Sequence, residues 1–334
     1  MNSRERVFYR LSGKPVDKIP NLNIVMGLAA KKAGVGYGEY ASDYRKLAEG
    51  NLICAQLFGI DAVSVISDPM REASAFGAVV EIPGDAVPFS PVPLLEHPVE
   101  LKKLKIFDPF ESERTLDRIK AVEYLRGKVL NDYPVIGWVE GVLAEAADLR
   151  GVENLMMDLA DDAPYLSDLF DIIFSQQCRF AKAQIDTGAD IIGIGNAVAS
   201  LIGPKFYERY AMNYDKKLVS YIKKYGAKTK LHICGDTTLL IDKIRNIVKP
   251  DIFDIDWMVD FSSTVEVCKE SITAVNGNMD PVGVMLQGDL KTVETATLFC
   301  VQSCDINTTI SAGCEIPAET SETNLIYMDK LLYL

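Results

Sequence analysis

The chain has 334 residues, 48% of them hydrophobic, and a formal net charge of −12. There is ample material for a sizeable core, and the acidic balance argues against a nucleic-acid surface and against a polybasic membrane patch. The opening residues, MNSRERVFYRLSG, are charged throughout, and no apolar run approaches the ~18 residues that a membrane span needs, so neither a leader nor a membrane segment is expected. Seven cysteines, odd in number and irregular in spacing, fit a reducing compartment better than a disulfide framework, which makes the expected location cytoplasmic.

In chain order, an N-terminal extension is followed by eight short β-rich runs, most of them ending in a polar or small residue. They are IPNLNIV (19–25), DAVSVIS (61–67), PVIGWV (134–139), DIIGIG (190–195), KTKLHIC (228–234), IFDIDW (252–257), ITAVNGN (272–278) and TTISAG (308–313). Stretches with helical periodicity lie between them, at 42–59, 153–188 and 204–226 among others, with Ser, Asp or Pro at their starts and Gly at their ends. Eight strands alternating with helices predict an α/β fold, a (β/α)8 TIM barrel, with residues 1–334 as a single domain. The runs are apolar on both faces, as strands covered inside and out must be. Segment 70–110, rich in Pro and Val, breaks the rhythm and reads as a small excursion, a hairpin, after the second strand. A doubly wound open sheet is the alternative; it is disfavoured because no Gly-rich phosphate loop follows the first strand.

Chemistry in such a barrel sits at the carboxyl ends of the strands. The polar residues there are Asp68, Glu140, Asn196, His232, Cys234, Asp256, Asn278, Asp280 and Cys314. His232 is one of two histidines in the chain, and His232 and Cys234 are two apart on a strand, so both face one side, with Ile233 toward the helices. Cys314 ends the last run, 80 residues after Cys234, and Gly235 and Gly313 flank the two thiols and permit close backbone approach. An imidazole and two thiolates from separate strand ends make a three-ligand zinc set with one position open. By H-x-C spacing alone, a core histidine and a buried thiol are the plainer reading; the matched Cys314 after a distant Gly-ended strand brings metal binding level with it. Zinc with two thiolates and a neutral imidazole sums to zero charge, which suits an electron-rich bound thiolate better than a polarised carbonyl or an activated water. The i, i+4 pair Cys300 and Cys304 could bind a metal, but a packed helix face is the plainer reading; His97, in LEHPVE, reads as a surface histidine.

From end to end the chain resembles the uroporphyrinogen decarboxylase superfamily. KPVDKIP (14–20) is similar to its N-terminal signature, VISDPMREASAFGAVVEIP (65–83) to the segment carrying its substrate-binding aspartate, here Asp68, and NGNMDPVGVMLQG (276–288) to its GN-(L/M)-DP stretch. Two departures stand out. Where the decarboxylases carry an arginine-rich loop that grips porphyrin carboxylates, this chain has NIVMGLAAKKAGVGYGEY, without arginine; where they have GHG at the last strand, it has AGC, ending at Cys314. These changes resemble the corrinoid-dependent methyltransferase branch, whose H-x-C-G…C pattern is read here as His232, Cys234 and Cys314.

The resemblance implies zinc on those three residues. It also implies transfer of a methyl group from a methylated corrinoid, held by a separate corrinoid protein, to a thiol acceptor such as coenzyme M. Asp68, Asn196, Asp256, Asn278 and Asp280 are then the candidates for substrate contact, Asn196 standing where relatives often have aspartate. The rival readings are a tetrapyrrole decarboxylase and a non-catalytic corrinoid-binding protein.

Overall fold

The structure, a computed structural model, describes residues 1–333. Seven parallel strands form one curled sheet in sequence order: β1 (Val63–Ser64), β2 (Val135–Glu140), β3 (Ile191–Gly195), β4 (Lys228–Ile233), β5 (Ile252–Ile255), β6 (Ala274–Met279) and β7 (Thr309–Ala312). Each coincides with one of the predicted runs. β2 and β3 are buried at every position, because helices cover the outer face while the curled sheet closes on itself inside.

The first predicted run, 19–25, completes the ring without becoming a regular strand. Leu22 N donates to Ile310 O and Ile310 N to Pro20 O, joining it to β7, while Asp61 N donates to Asn21 O just ahead of β1. Pro20 has no N–H, and Asn23 answers Ala312 N with its side-chain oxygen at 2.7 Å instead of a backbone carbonyl. The ladder is therefore side-chain-assisted, and the fold is a TIM-type barrel with seven strands and an eighth, irregular stave.

Inside the barrel the two halves differ. On the β1–β3 side, Ile66, Ile136, Trp138 and Ile191 form an apolar cluster with Val7, Leu22 and Ile252. On the β4–β7 side the filling is polar. Lys230 pairs with Asp254, Asn276 Nδ2 donates to Asp254 and to Ser311 Oγ, and Thr309 Oγ1 donates to Asn276 Oδ1 at 2.7 Å. One register row runs round the lumen through Glu140, Gly195, His232, Asp254, Asn276 and Thr309. Residues paired across parallel strands share a face, so this row carries the polar groups to one level.

The N-terminal extension is a helix, Ser3–Leu11, with a capping box from Asn2 and Glu5. Its arginines reach the residues just before three strands. Arg4 pairs with Asp190 at 2.9 Å and Arg6 with Asp61 at 2.6 Å, and Arg10 donates to Thr308 O at 2.8 Å. With Val7 inserted among the first residues of β2, β3 and β5, the helix closes the N-terminal end of the barrel.

The excursion after β1 contains a helix, Met70–Phe76, and then the predicted hairpin, reduced to one antiparallel bridge between Glu81 and Phe89. Two predicted helical stretches are each split. Stretch 153–188 breaks between Val152–Ala160 and Leu166–Thr187, where Asp162 has φ 53° and Pro164 follows, and 204–226 breaks at Ala211. Cys300 lies buried in helix Leu290–Ser303 and Cys304 caps it, while His97 is exposed.

Candidate metal and substrate site

β4 aims His232 into the lumen, and the residues that follow it turn back at Gly235, which has φ 87°. The turn sets Cys234 Sγ 3.0 Å from His232 Nε2. β7 brings Cys314 from the far side of β5 and β6, its Sγ 3.6 Å from that of Cys234 and 3.9 Å from His232 Nε2. Gly313 makes this approach possible, because a Cβ there would strike the backbone of Asp256 and Trp257. The three donor atoms all lie within 4.8 Å of one another, and among the described residues they are the one such group of His, Cys, Asp or Glu.

The donor set fits zinc. With Zn–S near 2.3 Å and Zn–N near 2.05 Å, tetrahedral coordination places two sulfurs ~3.8 Å apart and sulfur and nitrogen ~3.6 Å apart; the Cys234–Cys314 and Cys314–His232 spacings of 3.6 and 3.9 Å lie close to this, and the Cys234–His232 spacing of 3.0 Å would have to open on binding. Behind the imidazole, Nδ1 stands 3.3 Å from Asp254 Oδ2, outside hydrogen-bond geometry but on the side from which a carboxylate orients a metal-bound histidine. Lys230, itself buried, holds that carboxylate.

Burial alone would lower the His232 pKa. Asp254 and Cys314 outweigh it and hold the imidazole up at about 9. Of the two thiols, Cys314 is pulled down by its contact with Cys234 and by the nearby imidazole, and Cys234 is pushed up by the same thiol contact and by burial. Burial likewise raises the carboxyl of Glu315, beside Cys314, to about 7, although its Oε1 accepts from Gly27 N at 2.6 Å.

A cavity of about 220 Å³ opens beside the three donors and is lined by Asp68, Trp138, Glu140, Asn196 and Glu315 among others. Asp68 and Asn196, expected at the site from the sequence, are thus brought to it. Asp68 is tied by Ser67 Oγ at 2.7 Å, Met70 N at 3.1 Å and Arg114 at 2.6 Å. Asn196 turns its NH2 onto Asp215. The other three candidates lie apart from this cavity. Asp256 accepts from Met258 N; Asn278 donates to the carbonyls of Asp256 and Val259; Asp280 caps the following turn through Val282 N and Gly283 N. Asn278 and Asp280 line a separate cavity of about 620 Å³ against helix Leu290–Ser303.

Sequence reading passed over Trp138, Glu315, and the supporting Asp254 and Lys230. Asp254 carried a signal, since it is the central residue of IFDIDW and an acidic side chain in the middle of a buried run requires a partner.

A parallel barrel that gathers two thiols and an imidazole at its carboxyl mouth defines a class: barrel enzymes with a thiolate-rich, three-donor centre. The uroporphyrinogen decarboxylase family matches residues 2–331. The chain is 30% identical over 331 residues to the methylcobamide:CoM methyltransferase MtbA of Methanosarcina mazei, covering 96% of this chain and 95% of that one. It is 24% identical over 304 residues to a uroporphyrinogen decarboxylase of Geotalea uraniireducens, covering 83% of each. A solved methyltransferase from Methanosarcina mazei superposes with a TM-score of 0.89 at 21% identity, over 98% of this chain and 97% of that one, and so shares the fold. The chain belongs to the uroporphyrinogen decarboxylase family, on its methyltransferase branch. It is an enzyme, a methyltransferase. Among the described residues, no helix is long and apolar enough to cross a membrane.

Proposed function

We propose that the chain, as one barrel domain in the cytoplasm, transfers a methyl group from a methylated corrinoid to a small thiol, with zinc on His232, Cys234 and Cys314. The observation that carries this reading is the convergence of those three donors on the wall of a cavity that suits a small molecule. Zinc held there would bind the acceptor as its thiolate at neutral pH. Asp254, held by Lys230, orients His232. Glu140 and Asp68, which line the cavity, are anchored by Arg71 and Arg114. Attack by the acceptor thiolate on the methyl carbon would break the methyl–cobalt bond, leave its electron pair on cobalt and release the thioether.

A corrin ring is far larger than the 220 Å³ cavity, so the methyl donor meets the acceptor from outside, on a separate small carrier protein. Coenzyme M is the acceptor named for MtbA. The decarboxylase alternative calls for cations to grip several carboxylates, and the cavity's lining has neither lysine nor arginine.

The test is methyl transfer from methylcobalamin to a panel of thiols, with zinc content measured alongside. Acceptor binding to the zinc form should release close to one proton per site near pH 7, because free thiols have pKa values near ~8.5, and the metal-free form should release almost none. Lack of turnover with every corrinoid and thiol offered removes the reading.

A further inference from the structure

The cavity beside the three donors is too small for a corrin ring, so a methyl donor must rest on the rim around it. Large apolar side chains stand exposed on three consecutive loops of that rim. After β3 comes Leu201, 69% exposed; after β4, Leu239, 73% exposed; after β5, Trp257 and Met258, 49% and 56% exposed. None of the four lines the cavity itself. A single exposed leucine is ordinary on a protein surface, but an indole left in water forgoes much more burial. The chain's other tryptophan, Trp138, is buried.

These loops border the two thiols. Ser200 Oγ, one residue before Leu201, lies 2.9 Å from where a Cβ on Gly235 would stand, next to Cys234. The backbone of Trp257 takes the corresponding place at Gly313, next to Cys314. Leu239 follows Cys234 by five residues, and its neighbour Leu240 is buried beneath it.

The Trp257 turn is clamped from below. Asp256 accepts from Met258 N at 3.0 Å, and Asn278 Nδ2 donates to the carbonyls of Asp256 and Val259 at 2.9 and 2.6 Å. Val259 is buried, so the backbone is fixed while the two side chains between these bonds stay in solvent. An apolar pair held in this way loses little conformational entropy when a ligand settles on it. Attack on the methyl carbon requires it within ~3–3.5 Å of the acceptor sulfur. A broad, largely apolar disc that carries the methyl group at its centre then covers the residues flanking both thiols.

We infer that Trp257 and Met258, with Leu239 and Leu201 beside them, form the seat on which the corrin ring of the methyl donor lies, and that Asp256 and Asn278 are positioning residues for that seat. The inference rests on the methyl-transfer reading above and deepens it, since it places the donor over the β3–β5 half of the mouth.

Free methylcobalamin is the probe. Trp257→Ala should raise its KM about tenfold and Leu239→Ser about threefold or more, with kcat and the KM for the thiol within about twofold of wild type. Zinc content should be unchanged in both. Trp257→Phe, which keeps an aromatic face, should restore the KM to within about twofold of wild type. Phe299→Ala, at an exposed apolar position on the outer helix Leu290–Ser303, should change nothing. A second readout needs no turnover. Peroxide oxidation of Met258, followed by mass spectrometry, should slow several-fold under saturating cyanocobalamin. Exposed Met1, at the closed end of the barrel, is the internal reference. An unchanged methylcobalamin KM in Trp257→Ala, or an unprotected Met258, overturns the seat and leaves the methyl-transfer reading standing. Protection of Met258 without corrinoid, in step with protein concentration, means that a second copy of the chain covers these loops, and it overturns the seat as well. If no corrinoid supports transfer, the methyl-transfer reading fails, and the protection of Met258 alone decides whether a corrin ring lies here.

Discussion

His232 is a single side chain with two distinct tasks, one for each nitrogen. Nε2 joins the thiols of Cys234 and Cys314, and Nδ1 faces Asp254. Cys234→Ala and Cys314→Ala should each lose most of the zinc with the barrel still folded, as read by metal analysis and circular dichroism. Asp254→Asn keeps the ligands but weakens the support, and a loss of roughly 10–100-fold in zinc affinity is expected. Asp215 makes a different prediction. It is buried under Tyr207 and Asn196, and burial raises its pKa from 3.8 to about 7. A carboxyl raised in the folded state binds its proton more tightly there than in the unfolded chain. Its contribution to stability is therefore full below pH 3.8 and is lost as pH rises to about 7. Each pH unit of that span is worth ~1.4 kcal/mol, which sets a ceiling of about 4 kcal/mol. Asp215→Asn should remove this slope, so its urea midpoint relative to wild type should improve between pH 5 and pH 8; an unchanged difference refutes the assignment.

At the scale of elements, the site depends on how closely the ends of β5 and β7 approach. Gly313→Ala puts a methyl group into the backbone of Asp256 and Trp257 and forces the two strand ends apart. A destabilisation of about 2–3 kcal/mol, with weakened zinc binding as Cys314 moves, is the expected outcome from thermal denaturation and metal titration. The strands themselves were legible because each is a β-branched or apolar run closed by a polar or small residue. The eighth stave was legible as a segment but not as an irregular one: that Asn23 replaces a backbone acceptor for Ala312 depends on a partner 289 residues away. The same reason hid the supports of the site. His232, Cys234 and Cys314 could be read because each sits at a strand end. The pairing of Arg71 with Glu140 and of Arg114 with Asp68 is decided by packing across the excursion, which local periodicity does not describe. The helical break at Ala211 was missed because apolar residues continue through it, whereas the break before Pro164 carried a signal in Asp161-Asp162-Ala163-Pro164 that was passed over.

At the scale of the whole molecule, the N-terminal helix and the catalytic mouth occupy opposite ends of one lumen. Val7 is buried among the first residues of β2, β3 and β5. Val7→Asp would set an unpaired carboxylate there and should cost about 3 kcal/mol or more, seen as a lower melting temperature, with zinc stoichiometry at 10 °C preserved. The closed base also has a kinetic meaning. A barrel stopped at one end has a single doorway, and on the proposed reaction both substrates must use it. Once the carrier has seated its corrin ring over the opening, a thiol arriving late has no route in, and a finished thioether has no route out. The order of addition is then compulsory: acceptor first, carrier second, carrier departing before product. Initial-rate plots should intersect to the left of the axis instead of running parallel. A carrier protein loaded with an unreactive alkyl corrinoid should inhibit uncompetitively against the thiol. Noncompetitive inhibition in that experiment would mean that the thiol still enters when the carrier is bound, and that a second passage to the donors exists.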